Sequence, residues 1–239
     1  MTNAREVHVS NDCKTNLAAL ASALQLLHRV LLDYKQTDCM FVRMSRTNEE
    51  RSVASRCNLI EAGRRLFGEH GYAATSTPMI AEAAGASRGA LYHHFADKAA
   101  LFAAVVEAEY ERLEAEIERT SRETTDPLEA LIEGGESFMT AASDPATQRI
   151  LFIDGPAVVG IELLHSADSR TTTKSLRAGI EAAQLAGRLP RDIPTDALTS
   201  LISGAYDRAV LDGLATDEAG LLAFRHAIRI FWHGLSKVV

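Results

Sequence analysis

Residues 71–101 read GYAATSTPMIAEAAGASRGALYHHFADKAAL, and capping and turn residues divide this stretch into short helices. Thr77, followed by a proline, predicts the start of one helix, because threonine caps the first turn and proline needs no hydrogen-bond acceptor there. Gly85 supplies a turn residue, and Ser87 predicts the cap of a helix that runs to about Phe95. Two short helices joined by a four-residue turn with glycine predict a helix-turn-helix.

The side chains of this unit separate into an apolar set and a polar set. Six apolar residues could pack the two helices together: Ile80, Ala81, Ala84, Ala86, Leu91 and Phe95. The small side chains at positions 81 and 84 would allow the helices to approach each other closely. The Arg, Gly, Tyr and His residues of the second helix are then left facing outward, as expected of a helix that enters the DNA major groove.

The remainder of the chain contains few glycines and prolines and lacks the alternating pattern of strands, so it predicts an all-α protein. One helix is expected before the helix-turn-helix, from about Glu50 to Gly68. Asp97 predicts the cap of another helix that runs to about Arg119. Five further amphipathic helices are expected, at about 127–142, 145–162, 167–187, 195–212 and 218–235.

These elements predict two domains after an N-terminal extension. We assign residues 1–43 to the extension, 44–101 to a three-helix helix-turn-helix DNA-binding domain, and 102–239 to a helical regulatory and dimerisation domain. The formal net charge of −7 argues against a nonspecific nucleic-acid coat. No apolar run reaches the ~18 residues of a membrane span and no secretory signal is recognisable, so we expect a cytoplasmic location without membrane contact.

Residues 71–98 resemble the DNA-binding domain of the TetR (tetracycline-repressor) family. The resemblance covers roughly residues 50–101 and includes Leu66-Phe67 and Gly71-Tyr72 before the motif and Leu101 after it. Many matching positions at constant spacing make this a stronger signal than a generic helix-turn-helix. The resemblance implies a homodimeric repressor whose C-terminal domain binds a small molecule.

Two features depart from the family pattern. Gly63 lies inside the first helix, where glycine costs up to about 1 kcal/mol relative to alanine. Residues 1–43 precede the usual start, so translation could begin at Met44 or Met40, or the extension could be real. A real extension would carry a short amphipathic helix that packs on the dimer or on a partner, through Leu17, Leu20, Leu24, Leu27, Leu31 and Tyr34.

The predicted recognition helix carries the candidate DNA contacts. Ser87 and Arg88 lie at its N-terminus, where an arginine can donate two hydrogen bonds to guanine O6 and N7. Gly89 lacks a side chain and would allow close approach to the groove. By resemblance, five further residues face the phosphate backbone: Thr77, Tyr92, His93, His94 and Lys98. Local packing of Tyr92 and one histidine is the alternative.

Metal binding and catalysis are not expected. His93 and His94 point about 100° apart on a helix, so they cannot easily share one ion, and Asp97 adds too few ligands. Glu162-x-x-His165 has the spacing of a di-iron ligand pair, but one copy is not enough. The sequence contains no nucleophile elbow, phosphate-binding glycine loop or dinucleotide fingerprint. No cofactor, metal or enzymatic activity is therefore predicted.

The sequence of the C-terminal domain is less informative about an effector pocket than the helix-turn-helix is about DNA binding. Candidates by position alone are Phe138, Met139, Arg149, Phe152, Asp154, Glu162 and His165. Asp154-Gly155-Pro156 predicts a break in its helix, which could mark the pocket wall. The last two helices, about 195–212 and 218–235, have wide apolar surfaces. We expect them to form core on one side and a homodimer seam on the other.

Together these features predict a sequence-specific transcriptional repressor that binds a pseudo-palindromic DNA operator and is released by an unknown small-molecule effector. An activator or ligand-independent regulator of the same fold is the alternative. A protein-interaction scaffold that no longer binds DNA is an alternative of a different class.

Overall fold

A computed structural model describes residues 48–122, 124–212 and 217–238, and all regular structure within them is helical. The helices are α1 Asn48–Ala74, α2 Thr77–Ala83, α3 Arg88–His94, α4 Lys98–Ser121, α5 Pro127–Ala142, α6 Pro145–Thr147, a π-helical turn Gln148–Asp154, α7 Gly155–Val158, α8 Ile161–Arg170, α9 Thr172–Leu185, α10 Thr195–Leu211 and α11 Glu218–Ser236. The predicted all-α fold is confirmed. The N-terminal extension and its predicted amphipathic helix lie outside the described residues.

The helix before the helix-turn-helix is longer than predicted. The sequence predicts an end near Gly68, whereas α1 continues to Ala74 and contains one non-helical residue, Gly71, at φ 82° and ψ 165°. Glycine adopts this backbone region readily, so one residue reorients the last turn. The Thr75 hydroxyl closes this end, because it lies 3.1 Å from the carbonyl oxygen of Leu66 and 2.8 Å from that of Gly71.

The caps of the helix-turn-helix are formed by two serines. The cap of α2 is Ser76, whose hydroxyl accepts from the N–H of Met79 at 3.4 Å. Thr77, the predicted cap, occupies the first helical position instead. Two residues that both favour capping stand side by side here, so the pattern alone does not choose between them. The cap of α3 is Ser87, as predicted, and it accepts from the N–H of Ala90 at 3.1 Å.

The predicted core of this unit is confirmed. Ile80, Ala81, Leu91 and Phe95 are buried, and Ala84 and Ala86 are partly buried against the same core. Gly85 makes the turn between the helices at φ 63°. The apolar residues of α3 therefore face inward, and its polar residues are left on the outer face.

Helix α4 joins the helix-turn-helix to the C-terminal helices. Asp97 caps it, as predicted, by accepting from the N–H of Ala100 at 2.7 Å. Helix α4 packs along α5, which also contacts α9, α10 and α11 and is therefore central to the C-terminal part. Gly135 allows α10 to approach closely, because a Cβ there would lie 2.6 Å from the Cζ of Tyr206. Its neighbour Gly134 is also closely packed, because a Cβ there would lie 3.3 Å from the Cγ2 of Ile117.

The segment after α5 is less regular than the helix predicted at about 145–162. Helix α6 passes into the π-helical turn at Gln148, and α7 follows from Gly155. The predicted break is therefore present. Proline at position 156 lacks the N–H for an α-helical bond, and a Cβ on Gly155 would lie 2.7 Å from the carbonyl oxygen of Ile150.

The helix predicted at about 167–187 corresponds to the end of α8 and to α9, and residues 163–166, which were predicted to connect two helices, lie within α8. Helices α8 and α9 meet at Thr171, where φ is −124° and ψ is −105°. The hydroxyls of Thr172 and Thr173 donate to the carboxylate of Asp168. Such local side-chain hydrogen bonds compete with the backbone bonds of a continuous helix. The spacing of apolar residues does not reveal them, so the sequence did not predict this break.

The last two helices, α10 and α11, closely match their predicted bounds. Their inner faces are buried, with Tyr206 and Trp232 as the largest side chains. Five large apolar side chains on these helices are between 44% and 71% exposed: Leu201, Leu211, Leu222, Ile230 and Phe231. Among the described residues, no helix combines the length and apolar character needed to cross a bilayer.

Candidate DNA-reading surface and effector cavity

The predicted DNA contacts come from the start of α2, the exposed side of α3 and the start of α4. Ser87, Arg88, Gly89, Tyr92 and His93 are exposed, and Thr77, His94 and Lys98 are partly exposed. Arg88 follows directly after the capping serine, so it projects from the first turn of α3. That is the part of a recognition helix that reaches base edges in helix-turn-helix proteins.

One hydrogen bond crosses this surface between α2 and α3. The hydroxyl oxygens of Thr77 and Tyr92 are 3.1 Å apart. This bond, together with the nearby Arg88, lowers the pKa of Tyr92. Tyr92 is 48% exposed, so its hydroxyl can still reach a second partner such as a phosphate oxygen. Local packing and DNA contact are therefore compatible for this side chain.

The two adjacent histidines lie against each other. The ring centroids of His93 and His94 are 5.3 Å apart with an interplanar angle of 66°. The His94 ring also lies 6.3 Å from that of Phe95. Among the described residues, no three His, Cys, Asp or Glu side chains form a group that could hold a metal ion. Phosphate contact by the imidazoles stays a prediction.

Lys98 has a structural role that the sequence does not indicate. Its Nζ donates to the carbonyl oxygens of Tyr72 and Thr75, both at 2.9 Å, and lies 4.1 Å from the centroid of the Tyr72 ring. These contacts tie the start of α4 to the end of α1. An ammonium group has three N–H donors, and these bonds use two. The third N–H of Lys98 could donate to a phosphate oxygen, and this contact stays a prediction.

Two predicted pocket residues, Arg149 and Asp154, join the π-helical turn to the end of α1. The Asp154 carboxylate accepts from the backbone N–H of Tyr72 at 2.7 Å. The Arg149 guanidinium donates to the carbonyl oxygen of Glu69 at 2.8 Å. We name these two bonds the α1 junction. It holds the turn around Gly71 against the C-terminal helices.

A buried ion pair makes a second connection between α1 and α4. Arg64 donates to both carboxylate oxygens of Glu109, at 2.6 and 3.0 Å. The Glu109 side chain is 2% exposed and also accepts from the hydroxyl of Thr147 at 2.6 Å. The hydrogen bond to Glu109 raises the pKa of Arg64. Sequence reasoning missed this pair, because its members are 45 residues apart and belong to no motif.

The C-terminal helices surround a cavity of about 280 Å³, with walls from α4, α5, α8, α9 and α10. Its largest apolar lining residues are Ile117, Leu131, Phe138, Leu176 and Tyr206. Its polar lining includes Glu118, Asp168, Thr172, Ser175, Ser203 and Asp207. A mostly apolar wall with a few polar groups is typical of small-molecule sites.

The structure places one of the seven pocket candidates at this cavity, namely Phe138. Met139 is fully buried in the core, and Phe152 packs against the core. Glu162 and His165 are exposed on α8, and the remaining two candidates form the α1 junction. The positions of the candidates in the sequence therefore did not predict which residues line the cavity.

Two lining residues that sequence reasoning missed are Asp168 and Asp207. Burial, with a smaller contribution from the charge of Asp168, raises the pKa of Asp207 to about 6, while His165 partly opposes the rise. Nearby, burial also raises the pKa of Glu114, whose carboxylate accepts from the hydroxyl of Ser175. Asp207 lies between Tyr206 and Arg208 and belongs to no motif, so no sequence signal indicated it.

A helix-turn-helix with a polar outer face, joined to helices around a cavity, defines a DNA-binding regulator. Comparisons with known proteins agree. The family description "Bacterial regulatory proteins, tetR family" matches residues 59–105. The description "Tetracyclin repressor-like, C-terminal domain" matches residues 128–232.

Relatives and solved structures extend this similarity over most of the chain. The HTH-type transcriptional repressor Rv1474c of Mycobacterium tuberculosis is 30% identical over 171 residues, which cover 72% of this chain and 86% of that protein. The repressor AcnR of Corynebacterium efficiens is 41% identical over 70 residues, or 29% of this chain and 37% of that protein. A TetR-family regulator from Pectobacterium atrosepticum has a similar crystal structure, with a TM-score of 0.64 and 30% identity over 80% of this chain and 97% of that one. The chain belongs to the TetR family of bacterial transcriptional regulators.

Proposed function

We propose that this protein is a homodimeric repressor that binds a pseudo-palindromic operator and leaves it when a small molecule occupies the C-terminal cavity. One observation carries the proposal. Helix α3 buries its apolar residues and presents Arg88, Tyr92 and His93 to solvent. The two relatives named above are repressors, which supports repression rather than activation by this protein.

Each DNA contact has a distinct role in this proposal. Ser87, Arg88 and Gly89 enter the major groove, where Arg88 reads a guanine. The five residues that hold the phosphates are Thr77, Tyr92, His93, His94 and Lys98. Phosphate contacts position the protein, and base contacts give the sequence preference.

The exposed apolar faces of α10 and α11 form the dimer seam in this proposal. Leu201, Leu211, Leu222, Ile230 and Phe231 would be covered by the partner's helices. A two-fold dimer presents two copies of α3, so the half-sites should be centred about 34 Å apart or modestly more.

The effector acts by shifting an equilibrium between two arrangements of the subunits. Helix α4 provides one wall of the cavity. Its first residue, Lys98, donates hydrogen bonds to the carbonyl oxygens of Tyr72 and Thr75 at the end of α1. A ligand that displaces α4 would therefore displace the end of α1, next to the helix-turn-helix.

The test is a fluorescence-anisotropy titration of the full-length protein with DNA from upstream of its own gene. A scrambled duplex of equal length serves as the control, and several salt concentrations are used. We expect sequence-dependent binding by two subunits or a multiple of two, which weakens as salt rises. Equal, weak binding to both duplexes at every salt concentration would contradict the proposal and favour a scaffold.

Two variants separate the roles of the DNA contacts. Arg88→Ala should lose about 1–3 kcal/mol of discrimination at one base pair per half-site. Tyr92→Phe should weaken binding to the operator and to the scrambled duplex alike. Arg119→Ala, at an exposed residue of α4, is the matched control. If both α3 variants behaved like this control, the assignment of α3 to the groove would be wrong.

A further inference from the structure

We propose that the cavity binds a lipophilic organic cation, whose positive charge lies between Asp168 and Asp207. This inference deepens the proposed function, because it names the chemical class of the effector. It depends on the charges that line the cavity, on the partners of those charges and on the shape of the apolar wall.

The charged side chains that line the cavity are all acidic. Glu118, Asp168 and Asp207 contribute to its surface, and none of its described lining residues is Lys, Arg or His. An anionic ligand, such as a carboxylate or a phosphate ester, would meet only like charges there. Like charges in a partly buried site repel more strongly than in water, so the lining selects against anions.

The three carboxylates differ in how they are neutralised. Glu118 has a cationic partner, Arg122, at 3.4 Å. Asp168 accepts from the hydroxyls of Thr172 and Thr173, which carry no charge. Among the described residues, none forms a hydrogen bond or ion pair with Asp207. The negative charge of the two aspartates is thus left for a ligand to neutralise.

The two aspartates influence each other and their surroundings. Burial and then the charge of Asp168 raise the pKa of Asp207. Burial and then the charges of both aspartates raise the pKa of Tyr110. His165 partly opposes the rise in the pKa of Asp207, but it is exposed and does not line the cavity. Two carboxylates near one buried cavity without a lining cation are an unfavourable arrangement that a bound cation relieves.

The rest of the wall suits the apolar body of such a ligand. Phe138 and Tyr206 both line the cavity, and their ring centroids lie 5.7 Å apart with an interplanar angle of 68°. Aromatic faces attract cations. A volume of about 280 Å³ is near the lower limit of the usual range for small-molecule sites, so a compact, ring-sized ligand is expected.

The Tyr206 hydroxyl also indicates a ligand. Tyr206 is 4% exposed, and its hydroxyl forms no complete hydrogen bond among the described residues. Burial raises the pKa of Tyr206, and the nearby indole of Trp232 only partly opposes this rise. The indole N–H of Trp232 is itself buried and without a hydrogen-bond partner among the described residues. A buried polar atom at a cavity wall can bond a polar group of a ligand.

The test uses three probes of nearly equal shape and different charge. These are 1-methylquinolinium (cation), 1-methylnaphthalene (neutral) and 1-naphthoate (anion), titrated into the full-length protein by calorimetry or fluorescence. We expect the cation to bind at least about tenfold more tightly than either of the others. The double variant Asp168→Asn, Asp207→Asn should lose this preference while keeping its affinity for the neutral probe.

The matched control is Asp196→Asn, which changes an exposed aspartate of the same helix as Asp207. It should leave the preference for the cation intact. Equal or tighter binding of the neutral or anionic probe would overturn the proposal, as would no binding of the cation at about 1 mM. Operator DNA is absent from this titration, so a failure of cation binding is distinguished from a failure to bind DNA.

Discussion

At the scale of single residues, Asp207 is the described carboxyl group whose ionisation the fold opposes most clearly. Its pKa is 3.8 in an exposed chain and about 6 in the folded protein, mainly because of burial. Its neighbours Asp168 and His165 act in opposite directions on this pKa. A carboxyl whose pKa rises on folding destabilises the fold above that pKa, and the penalty disappears below the unfolded value.

Asp207→Asn should therefore stabilise the protein in a pH-dependent way. At about pH 8 the substitution removes a penalty of up to about 3 kcal/mol, so the Tm should rise. Near pH 3 the wild-type carboxyl is mostly protonated in both the folded and the unfolded state, so the two proteins should differ little in Tm. Thermal melts of both proteins across this range measure the effect. An equal difference in Tm at both pH values would show that ionisation is not its cause.

At the scale of secondary-structure elements, the α1 junction connects the π-helical turn with the helix-turn-helix. Asp154→Ala removes the acceptor of the Tyr72 N–H and should cost about 1–3 kcal/mol locally. We expect faster hydrogen exchange at the Tyr72 amide, measured by NMR or mass spectrometry. Asp192→Ala, at an exposed loop residue, should leave that exchange unchanged. Unchanged protection of Tyr72 in the Asp154 variant would mean that this bond does not hold the end of α1.

The packing of α5 against α10 depends on Gly135. A Cβ there would collide with the ring and hydroxyl of Tyr206, which is fully enclosed, so Gly135→Ala should destabilise the protein by about 1–3 kcal/mol. Gly204→Ala is the matched control, because a Cβ at that helical glycine meets nothing within 4 Å. The control should be neutral or stabilise by up to about 1 kcal/mol. Denaturant unfolding measures both, and equal effects would contradict the close contact.

At the scale of the whole molecule, the exposed apolar faces of α10 and α11 predict the oligomeric state. Ile230 is 58% exposed on α11, and Ile161 is 61% exposed on α8. Ile230→Glu should weaken the dimer, because a charge would be buried in the seam, and should lower operator affinity by about tenfold or more. Sedimentation velocity measures the state. If Ile161→Glu dissociated the dimer and Ile230→Glu did not, the seam would lie elsewhere.

The whole molecule also shows how a distant site could influence DNA binding. Helix α4 carries Lys98 at one end and Ile117 at the cavity, while Glu109 between them holds Arg64 of α1. One continuous helix therefore touches both functional regions. A rigid helix transmits a displacement along its length, which is the simplest route for coupling the cavity to the recognition helix.

The sequence by itself determined the helix-turn-helix, its caps to within one residue, and the approximate bounds of α4, α5, α10 and α11. These features depend on hydrogen bonds and apolar spacing within a few residues, as at Ser87, Gly85 and Asp97. The sequence also indicated the irregular backbone at residues 154–156, because proline and glycine act locally.

Only the tertiary structure decided which side chains form the cavity and the junction. Asp168 and Asp207 line the same cavity because α8 and α10 both border it, whereas Arg149 and Asp154 bind to α1 and do not line the cavity. The periodicity of a helix determines which residues share a face. Which other helix packs against that face depends on how helices distant in the chain come together. The chemistry of the cavity is therefore a property of the packed molecule.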